Sequence, residues 1–140
     1  MRIVFGSPIL LLISLAIQTA SAQDEKSVAA ERGAISFQTD VFPVIKKNCL
    51  PCHAEDNYNP SELSLDSHTL LTEGGKHGAA IVPGKAAESL LVQKLGEKPP
   101  FGDRMPLDPK KKRGELSTKK LSDEEIQLIS DWVAQGAKNN

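Results

Sequence analysis

Five residues constrain this chain more than any other stretch: Cys49-Leu50-Pro51-Cys52-His53. They hold its only two cysteines, two residues apart, with a histidine directly after the second. Around them lies a chain of 140 residues that is 39% hydrophobic and only 4% aromatic. So few large apolar side chains make a core hard to close unaided, because small domains bury too little surface. A bound group at the centre solves that problem, as metals and disulfides do in other small domains. The spacing C-x-x-C-H is the attachment signal for a c-type haem. Two thiols add to the two vinyl groups on one porphyrin edge, and two intervening residues let one backbone turn span them. His53 then lies below the ring as the proximal iron ligand.

Two rival chemistries use the same residues. A thiol–disulfide redox site shares the C-x-x-C spacing but expects a βαβ context, which the sequence lacks. A structural zinc site would need a fourth ligand from His68 or His77, and zinc motifs rarely place histidine directly after the second cysteine.

The amino terminus points to export. Arg2 is a positive n-region, Ile9 to Ile17 is an apolar run, and Ala20-Ser21-Ala22 is a small-residue cleavage site. The reading is a cleaved signal peptide over 1–22, cut after Ala22, and a periplasmic or secreted product. The alternative, an uncleaved anchor, is disfavoured because the apolar run is short for a bilayer span, so no stable membrane span is expected after cleavage. Residues 23–36 read as a polar leader and 37–140 as one domain. The formal net charge is −1, and loss of Arg2 makes it −2. That balance excludes nucleic acid as the main partner.

The rest of the chain reads as all-α, three to four short helices with long loops around one covalently bound haem. Asp40 is read as the N-cap of the first helix, with Pro43 in its first turn and Val41, Val44, Ile45 and Asn48 on one face. That helix runs into Cys49. Asp66 is read as capping a short helix through Thr72, stopped by Gly74-Gly75. Ala86 to Leu95 is expected as one helix, with Gly96 as its stop. Lys98 to Leu116 is irregular and carries four prolines. Ser122 and Glu125 form a capping box for the last helix, which Gly136 ends. Its apolar face is Ile126, Ile129, Trp132 and Val133, and Asp123, Glu124, Gln127 and Asp131 are expected to face water.

The second axial position falls to Met105. Met1 leaves with the signal, so Met105 is the sole methionine of the mature chain. It sits among polar neighbours, Asp103 and Arg104, and ahead of Pro106, which disfavours helix at the preceding residue. A thioether on a stiff loop is a soft ligand that favours ferrous iron. His68 and His77 are the competitors, each read as a solvated surface histidine. Trp132 is read as packing the crossing of the terminal helices rather than lining the haem edge. Arg104 pairs either with a haem propionate or with water. Lys110-Lys111-Lys112-Arg113 either steers an acidic partner or is a solvated loop, the second being favoured.

From Phe42 onward the chain resembles the class I cytochrome c domain, and more closely the planctomycete-type cytochrome c. The residues that carry the resemblance run in order. Val41-Phe42-Pro43-Val44-Ile45 leads into Cys49-Leu50-Pro51-Cys52-His53. Leu63-Ser64-Leu65-Asp66, Gly74-Gly75, Ala80-Ile81-Val82-Pro83-Gly84-Lys85 and Glu88-Ser89-Leu90-Leu91 follow. Met105-Pro106 and the stretch from Leu121 through Trp132 to Gly136-Ala137 close it. Leu107 departs from the family, which often has a second proline there. The resemblance implies first and last helices that cross near the haem edge, one haem c, and His53 and Met105 as axial ligands. The resulting expectation is an electron-transfer protein, not an enzyme, working between redox partner proteins. A haem-based sensor with a labile sixth ligand and an electron-feeding subunit of a larger oxidoreductase are the alternatives.

Overall fold

A computed structural model describes residues 33–57, 59–108, 110 and 120–140. The expected signal peptide, most of the polar leader and the basic residues Lys111 to Arg113 lie outside them. The described residues are helical, with no strand beyond an isolated bridge between Gly75 and Gly78. None of their helices is long and apolar enough to cross a membrane.

The first element is a wide π turn, Phe37–Val41, which passes into helix α1, Phe42–Asn48. Its start lies earlier than the sequence suggests, and Asp40 is not the cap. Ser36 caps instead: its Oγ accepts from Thr39 N at 3.3 Å, while Asp40 Oδ2 accepts from Ser36 N at 2.8 Å. Between them the two side chains satisfy two orphan donors, those of Thr39 and Ser36, much as a capping box does. Pro43 falls in the first turn of α1, where a missing N–H costs nothing.

Helix α2, Leu50–His53, follows after Cys49. Helix α3 is His68–Glu73, and Ser67 caps it, its Oγ accepting from Leu70 N at 3.2 Å. Asp66, the expected cap, is used elsewhere: its Oδ2 accepts from Glu55 N at 2.7 Å. The expected helix over Ala86–Leu95 is broken in two, a 3₁₀ turn Ala86–Glu88 and helix α4, Leu90–Leu95. The cause is Ser89, fully buried, whose Oγ accepts from Val82 N at 2.9 Å and donates to Lys85 O at 2.9 Å. Such side-chain bonds compete with the helical backbone pattern.

Helix α5, Asp123–Ala134, is the one the sequence describes best. Ser122 N donates to Glu125 Oε2 at 2.9 Å, and Glu125 N donates to Ser122 Oγ at 3.1 Å. At the far end Gly136, with φ 102°, allows Gly136 N to reach Val133 O at 3.0 Å and Ala137 N to reach Trp132 O at 2.9 Å. That pair of bonds is a Schellman stop. Asp131 departs from expectation: it is buried, and its Oδ1 accepts from Gln127 Nε2 at 2.7 Å.

The core forms where α5 packs on the π turn and on α4. Phe37, Val41, Ile45, Leu65, Leu71, Ile129, Trp132 and Val133 are all buried. The rings of Phe37 and Trp132 lie 5.3 Å apart, and Phe42 lies 5.6 Å from Phe37. Full burial of a ring such as that of Phe37 contributes about 1.5–3 kcal/mol. Trp132 therefore packs the crossing, and its Nε1 donates to Lys138 O at 3.0 Å. The ends of the fold are tied together there. Ser36 Oγ donates to Asn140 O at 2.7 Å, and Ile35 N donates to Gln135 Oε1 at 2.9 Å. Ile35 is buried, so the packed unit includes residues just before Phe37.

Candidate haem-binding site

Helix α1 delivers the motif. Its backbone continues through Cys49, whose N–H donates to Ile45 O at 2.8 Å. Cys52 N and His53 N then both donate to Cys49 O, at 3.0 and 2.9 Å. One helical turn thus presents Cys49 half-buried, Cys52 exposed and His53 half-buried. No disulfide joins the two cysteines.

His53 is held from behind. Its Nδ1 lies 3.1 Å from Leu63 O. A carbonyl only accepts, so Nδ1 carries the proton and Nε2 carries the lone pair. That is the tautomer a metal-bound histidine needs, with its other nitrogen oriented by an acceptor. Leu63 O also accepts from Asn59 Nδ2 at 2.6 Å, and Ser61 Oγ donates to Asn59 Oδ1 at 2.6 Å. Ser61 Oγ is itself 3.4 Å from His53 Nδ1. The glycine turn 74–78 braces this loop: Lys76 N donates to Ser61 O at 2.9 Å. A Cβ on Gly75 would stand 2.7 Å from Ser61 O and 2.9 Å from Leu63 Cβ. Only a glycine allows that approach. Leu65 N closes the loop onto His53 O at 2.9 Å. The sequence reading missed Asn59, Ser61 and Leu63; their sole signal was a polar, turn-rich loop.

Met105 lies on a separate segment and is half-buried. Its N–H donates to Lys94 O, at the end of α4, at 2.8 Å. Lys94 Nζ donates to Phe101 O at 2.7 Å and to Asp103 O, and lies 4.8 Å from the Phe101 ring centroid. Burial pushes the Lys94 pKa below its ordinary value, with Asp103 pulling it partly back. Pro106, next to Met105, is buried.

The competing histidines are engaged elsewhere. His68 is half-buried rather than solvated: its Nε2 lies 2.7 Å from Ala137 O, and its ring stands edge-on to Phe37 at 5.1 Å. Its task is to pin the end of the chain to α3. His77 is exposed, as expected, with its ring 4.3 Å from Phe101. Among the described residues no three His, Cys, Asp or Glu side chains converge as a metal site. A zinc site built from Cys49, Cys52, His53 and either histidine has no support in this arrangement.

The donor set fits a c-type haem: two cysteines on one turn with no disulfide between them, an imidazole with its Nε2 lone pair, and a thioether for soft iron. Arg104 adds a further fit. Its Nε is buried with no hydrogen-bond partner among the described residues. A buried guanidinium nitrogen without an acceptor is costly, and a propionate carboxylate is an acceptor of the right charge.

Residues 49–106 match the family described as Planctomycete cytochrome C. Over that span the chain is similar to planctomycete-type cytochromes c. The match runs from the first motif cysteine to the proline after Met105, and cytochromes of this kind bind haem c. The flanking Val41–Ile45 stretch and helix α5 fall outside the matched span. No curated protein matches the chain. Among solved structures, Kuenenia stuttgartiensis Hydrazine Synthase is similar, at 26% identity and a TM-score of 0.48. The alignment covers 76% of this chain and 16% of that one, so this chain spans about a sixth of its length. The all-α class expected for a cytochrome c is the class observed.

Proposed function

We propose that this protein is an exported, monohaem c-type cytochrome that transfers electrons and makes or breaks no substrate bonds. Cys49 and Cys52 attach the haem, His53 is the proximal ligand, and Met105 is the distal one. The observation that carries this reading is the His53 Nδ1 to Leu63 O hydrogen bond, 3.1 Å long, directly after two cysteines that form no disulfide. It sets the one imidazole tautomer that leaves Nε2 available.

Haem c supplies a one-electron couple at iron when bound. The chain's residues set the conditions for it. Cys49 and Cys52 retain the group through covalent bonds in a fold too small to enclose it. Leu63 O fixes the His53 ring and adds electron density to its Nε2. The Met105 thioether favours the ferrous state and so raises the potential relative to a second histidine. Arg104 offers its buried Nε to a propionate, which removes the cost of an unpaired nitrogen. The partners are redox proteins outside the cytoplasm that deliver and accept the electron.

Optical spectra of the exported protein test this. Low-spin ferric and ferrous spectra with a near-infrared sulfur-to-iron band are expected, and Met105→Ala is expected to remove the band. Rapid, complete binding of carbon monoxide to the ferrous protein at neutral pH would refute Met105 ligation and favour a ligand-sensing module.

A further inference from the structure

The loop that bears Met105 is fastened to the end of α4 through Lys94, and the His77 ring packs on its Phe101 at 4.3 Å. Lys94 makes three hydrogen bonds to the stretch Phe101–Met105. Its carbonyl takes the Met105 N–H at 2.8 Å, and its ammonium donates to the carbonyls of Phe101 (2.7 Å) and Asp103. The ammonium also lies 4.8 Å from the centre of the Phe101 ring, within cation–π range. Gly102 turns between the two accepting carbonyls with φ 55°, so both oxygens point back toward one nitrogen.

The anchor itself is rigid. Lys94 sits in the last turn of α4, whose Leu91 and Leu95 are buried in the core. The load is not. Phe101 is 42% exposed and Leu107 44%, so neither of these large apolar side chains is deeply buried, although Pro106 beside Met105 is. A charged donor shared by two carbonyls is stronger than neutral bonds of the same number.

We propose that Lys94 is a positioning residue for Met105: its ammonium clamps the Phe101–Asp103 turn and thereby keeps the thioether in place as an iron ligand. The inference rests on the reading of Met105 as distal ligand and adds what controls how easily that ligand leaves. In the sequence alone Lys94 is one surface lysine among many.

Lys94→Met tests it. Methionine keeps the length and apolar stem, and the backbone bond from Met105 N survives. The readout is binding of imidazole to the ferric holoprotein, together with the sulfur-to-iron band. The expected result is imidazole affinity raised about tenfold or more, as two charge-assisted bonds are lost, with a weakened band and unchanged covalent haem content. Lys94→Arg, which retains a charged donor, is expected to recover part of the difference. Lys85→Met, which breaks only the exposed pair with Glu88, is expected to leave both readouts alone. Should Lys94→Met not fold, Lys94→Gln carries the same expectation. Imidazole affinity within about twofold of the parent, with the band intact, would overturn the clamp while leaving Met105 as ligand. Absence of the band from the unmodified protein would instead overturn Met105 ligation and the clamp with it.

Discussion

Gly75→Ala is a small change with a consequence that the geometry allows to be worked out. An added Cβ would stand 2.7 Å from Ser61 O and 2.9 Å from both Leu63 N and Leu63 Cβ. Restoring ordinary contact requires the Ser61–Leu63 backbone to retreat by about 0.5–1 Å. Leu63 carries the carbonyl that holds His53, at 3.1 Å. A retreat of that size takes the contact to or beyond the limit of a hydrogen bond. Overpacking costs about 1–3 kcal/mol, and a weakened, partly buried hydrogen bond about 1 more. The expected loss is therefore about 2–4 kcal/mol, read as a lower urea midpoint for the haem-loaded protein. A looser Nδ1–H···O bond also makes the imidazole a poorer electron donor, so the midpoint potential is expected to rise. Gly78→Ala is the control. Its Cβ meets nothing within 4 Å, and only its φ of 88° penalises a side chain, at about 1–2 kcal/mol. If Gly75→Ala costs less than Gly78→Ala and leaves the potential unchanged, the glycine turn does not brace the proximal loop.

Two further substitutions probe the same scaffold. Asn59→Ala removes the competing donor at 2.6 Å from Leu63 O, so the His53 bond strengthens. A change of about 0.5 kcal/mol corresponds to a fall in potential of about 20 mV for one electron, measurable by voltammetry; a rise would contradict the assigned tautomer. Ser89→Ala leaves Val82 N and Lys85 O without their buried partner. It is expected to destabilise the fold by about 1–3 kcal/mol in urea unfolding, with little change in the visible spectrum.

The elements that the sequence made legible are those with local causes. The capping box at Ser122 and Glu125, the stop at Gly136 and the apolar face of α5 all depend on residues within a few positions of each other. The motif Cys49–His53 was legible for the same reason. What stayed hidden depends on contacts between distant segments. Ser36 rather than Asp40 caps the first turn, and Ser36 is also tied to Asn140 across the fold. Ser89 looks like a residue inside one helix until Val82 and Lys85 meet its hydroxyl. Asp131 fits the polar side of α5 by spacing, yet packing encloses it. His68 reads as a surface residue because Phe37 and Ala137 are far from it in sequence. The same holds at the site. His53 and Met105 announce themselves by residue type, whereas Asn59, Leu63 and Lys94 act through a backbone carbonyl or a loop and carry no signature.

Covalent attachment of one haem to Cys49 and Cys52 is directly measurable. The intact mass of the protein, exported from the full chain in cells with haem-attachment machinery and measured under denaturing acid, tests it most directly. The expected species is a chain beginning at Gln23 that carries the mass of one haem. A mass equal to the polypeptide alone, with Cys49 and Cys52 as thiols or as a disulfide, would contradict it.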